Sequence, residues 1–433
     1  INEDFTIFGN KNSVYELAED TKMTYKKGET EEEIITALNS TSQGGFHGFR
    51  YVEKYKTIYA AARGTTNGQV EIYIFNDLDN LTNYSTVTIT TGYNSLNGSD
   101  QIIYSSYKDK LYIVPNDAGY ATTYLQVWEL NPSNNTVLKV IDLDVSGTVD
   151  YPYYCPTTII DNHFFVGSGV YTTVLFKFDL NDYTLSNTLA ISPTGNQTIH
   201  GLTTDGEKIW VTSASPISVE SSYIARVNPT NMSLEDIQYT TSTNASLGGG
   251  ITDDILLVGD YLYLPLENFT ISGILKVNKN DLTDQTVLQI PLNTSSDRLY
   301  AIYFDGVNVW YAGKNDNLGK INIKTNEAWL YENTFSYSIN EIQTDGQRMF
   351  VTGFDVYPVN NTGYVGRTLF PTKPVKKVVL KSDGSVAQEI DYTTGNVGID
   401  TTPTEKLDVD GNVKSSGTIL PETNNVQTIT GTT

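Results

Sequence analysis

Gly201-Leu-Thr-Thr-Asp-Gly-Glu-Lys-Ile-Trp-Val-Thr212 reads as strand, tight turn, strand. Asp205-Gly206 supplies the turn chemistry a short hairpin prefers, and Ile209-Trp210-Val211 is a β-branched and aromatic strand. The unit returns around Asp305-Gly306 with Trp310 and around Asp345-Gly346 with Phe350. Looser copies carry Tyr112, Phe165 and Tyr263, and the weakest carries Tyr59. The aromatics at 59, 112, 165, 210, 263, 310 and 350 are spaced 53, 53, 45, 53, 47 and 40 residues apart. An all-β repeat of this period predicts propeller blades.

A second half-motif follows each aromatic: an alternating strand, a polar turn, and another short strand. Instances are Leu125-Gln-Val-Trp-Glu-Leu-Asn-Pro132, Leu175-Phe-Lys-Phe-Asp-Leu-Asn-Asp182, Ile224-Ala-Arg-Val-Asn-Pro229, Ile274-Leu-Lys-Val-Asn-Lys279 and Lys320-Ile-Asn-Ile-Lys-Thr325. Each unit therefore holds four strands, enough for one twisted sheet whose two faces only neighbouring sheets can cover. A β-sandwich is the alternative, and seven in-phase copies argue against it. The expected fold class is all-β: a seven-bladed β-propeller with a short C-terminal β stalk or tail segment. The blades are placed at about 43–98, 99–150, 151–196, 197–246, 247–294, 295–336 and 337–380.

The domain layout is an N-terminal segment 1–42, a propeller 43–381 and a fibre-like β segment 382–433. Thr30 with Glu33 forms a capping-box pattern, which predicts a short helix over 30–38. Strands are expected at 12–17 and 23–25, and one strand from 12–26 is expected to complete the last blade. Without it two open edges would meet at the seam, and Pro358, Pro371 and Pro374 interrupt the later strands of the seventh repeat.

A net charge of −22 argues against nucleic acid and anionic membrane as partners. No apolar run approaches the ~18 residues of a membrane span. The single cysteine, Cys155, cannot form an internal disulfide. The chain opens on Ile1 rather than Met, so a processed product or a fragment is expected. Asn-x-Ser/Thr triplets at Asn39, Asn80, Asn134, Asn196, Asn231 and Asn293 are candidate glycosylation sites. The surface composition, rich in Asn, Thr, Ser, Gly and Tyr, suits exposed β-structure on a virion surface or outside a cell.

Gly395-Asn-Val-Gly-Ile-Asp-Thr-Thr-Pro-Thr-Glu-Lys-Leu-Asp-Val-Asp-Gly-Asn-Val-Lys414 resembles a module of bacteriophage tail fibres and large-virus appendage proteins. Asp400 stands where that family usually has Gly, and the loop before Pro403 is one residue shorter. The resemblance implies an intertwined trimeric stalk, often followed by an endosialidase-type intramolecular chaperone. The blades are similar, more loosely, to seven-bladed propellers of the streptogramin-lyase type.

His47 and His200 occupy matching places, each followed by Gly, and both are expected near the axial channel. With Arg298 and Tyr153 they are the candidate ligand-binding residues of an axial funnel. No His or Cys pair has metal-ligand spacing, and neither a nucleophile elbow nor a sialidase repeat occurs, so no catalytic residue, metal or cofactor is expected. The acidic clusters Asp77-Leu-Asp-Asn80 and Asp408-Val-Asp-Gly411 fit no calcium loop and read as solvated turns. The expectation is a virion appendage protein acting in adhesion, receptor binding or decoration. It would contact other virion or surface proteins through its C-terminal segment, and a host glycan or protein receptor through its head. The alternatives are a microbial surface adhesin or filament subunit, and a glycan or lactone lyase in the funnel.

Overall fold

A computed structural model of the chain describes residues 34–38, 46–63, 68–91, 99–115, 123–146, 148, 155–168, 173–191, 198–214, 222–239, 255–266, 273–292, 299–314, 317–331, 338–354, 363–369, 374–393, 396–399 and 408–409. Their strands form seven sheets, antiparallel apart from the pairing of Asn396–Ile399 with Asp408–Val409, and the only described helix is the short 3-10 turn Glu53–Tyr55. The first strands of the blades are Phe46–Val52, Ser99–Ser105, Thr157–Ile160, Thr198–Thr204, Leu256–Val258, Leu299–Phe304 and Ser338–Thr344. Each touches the first strand of the next blade, and the seventh touches the first, so they line the axis of a closed ring. The chain is a seven-bladed β-propeller.

The repeated aromatic is the second-strand residue that fills the space between blades. Tyr59, Tyr112, Phe165, Trp210, Tyr263, Trp310 and Phe350 are each no more than 2% exposed. Opposite it on the third strand stands a cation in five blades: Lys177, Arg226, Lys276, Lys320 and Arg367. Three of these reach into the next blade's turn between third and fourth strands. Lys177 Nζ donates to Pro229 O at 2.9 Å, Arg226 Nη1 to Lys279 O and Asn280 O at 3.2 and 3.1 Å, and Arg367 to Leu78 O. Blade two carries Glu129 there instead, and the next blade's turn answers with a donor, the Tyr183 hydroxyl. Blade six has no following turn of this kind, because blade seven takes its fourth strand from elsewhere in the chain. Its Lys320 sits instead over Trp310, Trp329 and Tyr331, 5.1–5.6 Å from their ring centres.

Turn chemistry follows the sequence motifs closely. Asp205 Oδ1 accepts from the amides of Glu207 and Lys208 at 3.0 and 2.9 Å, and Gly206 takes φ +90°, a conformation that favours glycine. Asp345 and Asp305 repeat the arrangement. In five blades the Asn or Asp that ends the third strand does similar work, its side-chain oxygen accepting an amide two residues on at Asn131, Asp179, Asn228, Asn278 and Asn322.

Three expectations are corrected here. Ile34–Leu38 is a β-strand, not part of a helix; the capping-box signal yields to the open edge of blade seven. That strand pairs antiparallel with Gly363–Leu369 and is itself the one that closes the ring. Residues 12–26, expected to supply it, lie outside the described residues. Third, Pro374–Leu380 does not belong to blade seven: it pairs with Glu327–Tyr331, the outer strand of blade six. Pro374 is tolerated because it opens its strand.

Blade six thereby grows to eight strands, adding Val386–Asp391, Asn396–Ile399 and Asp408–Val409 beyond Pro374–Leu380. The domain boundary expected at residue 381 falls inside the hairpin of Pro374–Leu380 with Val386–Asp391. Val378 and Leu380 are buried in a core shared with blades five and six. The company expected for the tail is, for this first hairpin, the chain's own propeller. Its turn docks on blade five, where Gln289 N donates to Gly384 O at 2.9 Å. A Cβ at Gly384 would lie 2.2 Å from Val287 O, and φ there is +81°. Gly384→Val is expected to cost on the order of 1–3 kcal/mol. Hydrogen exchange should show the loss as selective deprotection of 374–391; unchanged protection would exclude the docked hairpin.

Candidate functional site

The two ends of the ring differ. Every first strand begins at one end and finishes at the other, so connections sort by strand direction. At the finishing end the links from first to second strand are short: Ile160 to His163, Val258 to Tyr261, Phe304 to Asn308 and Thr344 to Arg348. At the starting end the chain spans Asp144 to Thr157, Tyr239 to Leu256, Leu288 to Leu299, Ala214 to Tyr223 and Phe354 to Gly363. Long, sequence-diverse connections gather on the first-strand starting face, and tight turns on the other. Exposed tyrosines occur on both, Tyr124 and Tyr239 at the loop-bearing face and Tyr84 and Tyr107 at the turn face, so they do not discriminate.

Close to the loop-bearing end, five of the seven first strands carry a β-bulge at the same register. The shifts fall between Phe46 and Gly48, Ser99 and Gln101, Ile199 and Gly201, Leu299 and Ala301, and Ile339 and Glu341. The inserted residues are His47, Asp100, His200, Tyr300 and Asn340. Each lies three residues before the one facing the blade aromatic, and blade three places Cys155 at the same offset. A bulge bends its strand and re-aims the extra side chain. The residue before it is apolar and fully buried in three blades, at Ile199, Leu299 and Ile339. His200, Tyr300 and Asn340 are buried too, 4–5% exposed. The Cys155 thiol is 3.8 Å from the Ser168 hydroxyl.

His47 and His200 thus occupy one register position in blades one and four. Arg298 and Tyr153 lie outside the described residues, as do Asn39, Asn196 and Asn293. Asp100, Tyr300 and Asn340 are bulge residues absent from the candidates read from the sequence. The signal was available, since aligning the first strands on the residue opposite each aromatic puts all five in one column.

Burial pushes the His200 imidazole down from 6.5 to about 4, so it is neutral near pH 7. A depressed folded value means the unfolded chain binds the proton more readily. The stability this contributes is present above pH ~6.5 and is lost as pH falls towards 4. Wild type should therefore lose on the order of 3 kcal/mol relative to His200→Gln across that window. Urea unfolding of both proteins at successive pH values checks it, and parallel curves would refute it.

Asn80, Asn134 and Asn231 sit exposed in turns between third and fourth strands. Each side-chain oxygen accepts from both the amide and the hydroxyl of the Ser or Thr two residues on. Asp182, Asp281 and Asp383 make the same turn with Thr or Ser. The triplet is therefore a hairpin code here, in which Asn and Asp interchange. The cluster at Asp77–Asn80 is likewise an inter-blade contact: Asp79 pairs with Arg348 and Arg367 of blade seven.

No family model matches the chain, and no curated protein matches it. Among solved structures it is similar to the WD40 β-propeller domain of Doa1, with a TM-score of 0.50 at 12% identity, covering 76% of this chain and 95% of that one. That likeness is one of fold alone. Among the described residues no helix is long and apolar enough to cross a membrane.

Proposed function

We propose that this propeller is a binding head displayed outside the cell or on a virion surface, engaging its receptor through the loop-bearing face by adhesion rather than by chemistry. The observation that carries the reading is the asymmetry of the ring. One end is built from short, stereotyped Asx turns, while the other collects the longest and least repetitive connections around the bulged strand starts. Loops on a rigid scaffold are where binding surfaces are placed. The strands Val386–Asp391, Asn396–Ile399 and Asp408–Val409 extend the blade-six sheet beyond its outer strand, so the fibre-like sequence begins at the rim of the ring, which suits attachment of a head to a stalk or particle. Self-association through that segment, as a trimer, is part of the same proposal.

The test is binding of fluorescently labelled full chain to a panel of microbial and protist cells. Replacing 240–254 or 147–154 by Gly-Ser linkers should abolish binding. Lys324→Glu on the turn face should leave it intact. Binding that survives the loop replacements but is lost on the turn-face change would overturn the reading.

A further inference from the structure

Blade six is held differently from the rest of the ring. In blades three, four and seven the cation opposite the aromatic donates to the next blade's turn. Lys276 of blade five stands on the face turned to blade six, and Lys320 of blade six on the face turned to blade seven. Neither makes a hydrogen bond or ion pair with a described residue. Lys276 Nζ lies instead 3.9 Å from the ring centre of Tyr261, and Lys320 sits over three aromatic rings. Both junctions of blade six therefore lack the hydrogen-bonded clamp.

The hairpin of Pro374–Leu380 with Val386–Asp391 meets both junctions, because side chains alternate between the two faces of its strands. On one face Val378 and Leu380 join the core of Leu288, Ile290 and Leu292, with Tyr261 packed against it. The turn docks Gly384 beside Thr286 and Val287, and Thr286 is the residue opposite Lys276. On the other face one cross-strand row reads Trp310, Lys320, Trp329, Lys377. Lys320 and Lys377 lie 5.4 and 5.5 Å from the Trp329 ring centre, and Lys377 pairs with Glu327 at 2.6 Å. Rings and cations thus alternate from the buried Trp310 outwards to the hairpin.

What the hairpin grips on blade five is the start of a loop-face connection. Gln289 N donates to Gly384 O at 2.9 Å, and Lys376 Nζ to Leu292 O at 3.5 Å. Between them the Tyr311 hydroxyl donates to Pro291 O at 2.9 Å and lies 3.1 Å from Trp329 O. Residues 289–292 open the span from Leu288 to Leu299 on the loop-bearing face. In the other direction the hairpin leads into Asn396–Ile399 and Asp408–Val409. We propose that the hairpin is a strap coupling the tail to the loop-bearing face. Docked, it fixes the connection between blades five and six, and whatever engages the C-terminal strands shifts the balance between docked and released. The functional meaning rests on the reading of that face as the binding surface. Coupling between two sites is reciprocal, so a contact at either end changes the other by the same factor. A strap held by one ladder and a small apolar patch opens more readily than a blade enclosed on both faces.

The experiment measures the coupling on the full chain from both ends and needs no receptor, so it can fail while the loop-face reading stands. Tyr311→Phe keeps the buried ring and removes the hydroxyl that holds Pro291. It should speed amide exchange in 374–391 about fivefold or more and leave blades two and three unchanged. From the other end, Gly384→Val should speed thiol labelling of an Ile290→Cys reporter by a similar factor; the native Cys155 is buried. Should Gly384→Val fail to fold, Lys377→Met, which loses the Glu327 pair and the cation over Trp329, carries the same labelling test. Unchanged exchange of the strap in Tyr311→Phe overturns the proposal, as does a reporter labelled at one rate whether the strap is intact or altered. So does a rise spread over every blade, which would be general destabilisation rather than coupling.

Discussion

Removing residues 1–38 is expected to leave a chain that no longer unfolds as a monodisperse, cooperative propeller. Ile34–Leu38 supplies the fourth strand of blade seven, paired residue for residue from Ile34 opposite Arg367 to Leu38 opposite Gly363. Without it Gly363–Leu369 becomes an open strand edge at the seam where the seventh blade meets the first. Tyr51 of blade one stacks on Phe350 of blade seven there, 6.0 Å between ring centres, and Val365 is fully buried in the same cluster. An unpaired edge beside buried aliphatics is an aggregation template. Deleting only residues 1–28 keeps the strand and should keep the transition. Adding a peptide of residues 30–42 to the larger deletion should restore it. Light scattering and thermal unfolding of the two truncations check this, and a monodisperse, equally stable 39–433 protein would show that another element closes the ring.

What the sequence disclosed and what it concealed divide along one physical line. Trp210, Trp310 and Phe350 were legible because each sits in a local unit: an Asp-Gly turn fixes the register, and the aromatic follows at a set distance. Ile34–Leu38 was not. Its neighbours Thr30 and Glu33 spell a helix start, and only the edge offered by Gly363–Leu369, more than three hundred residues on, makes it a strand. Pro374–Leu380 was misassigned to blade seven by proximity in sequence, although its hydrogen-bonding partner is Glu327–Tyr331. Both errors are choices of sheet edge, which no local pattern encodes. The bulge ring lay between these cases. His47 and His200 were paired by their shared Gly, whereas Asp100 and Asn340, followed by Gln101 and Glu341, lacked that cue.

The inter-blade clamp shows how a repeat tolerates exceptions without losing its geometry. In three blades a cation opposite the aromatic donates to carbonyls of the next turn. Where Glu129 replaces it, the direction of the hydrogen bond reverses and Tyr183 becomes the donor. Where the position is bridged, the identity of donor and acceptor is free.

The largest single-residue effect is expected at Trp310. The side chain is fully buried between blades six and seven, its ring stacked on Tyr331 at 5.7 Å and capped by Lys320 at 5.1 Å. Its indole N–H donates to Asp305 Oδ2 at 2.7 Å, and Asp305 is only 2% exposed. That carboxylate also fixes the hairpin turn through the amides of Val307 and Asn308. Trp310→Ala removes an aromatic from a packed interior, at about 3–5 kcal/mol, and takes a donor from a buried carboxylate, which adds about 1–3 kcal/mol. Trp310→Phe retains most of the ring area and isolates the second cost. Trp210 offers the control, because its indole N–H meets only a backbone carbonyl, Lys279 O at 3.3 Å. Trp210→Phe should therefore be milder than Trp310→Phe, although both side chains are equally buried. Urea unfolding of the three variants measures the difference. Equal costs for the two Phe substitutions would mean that the Asp305 hydrogen bond contributes nothing beyond packing.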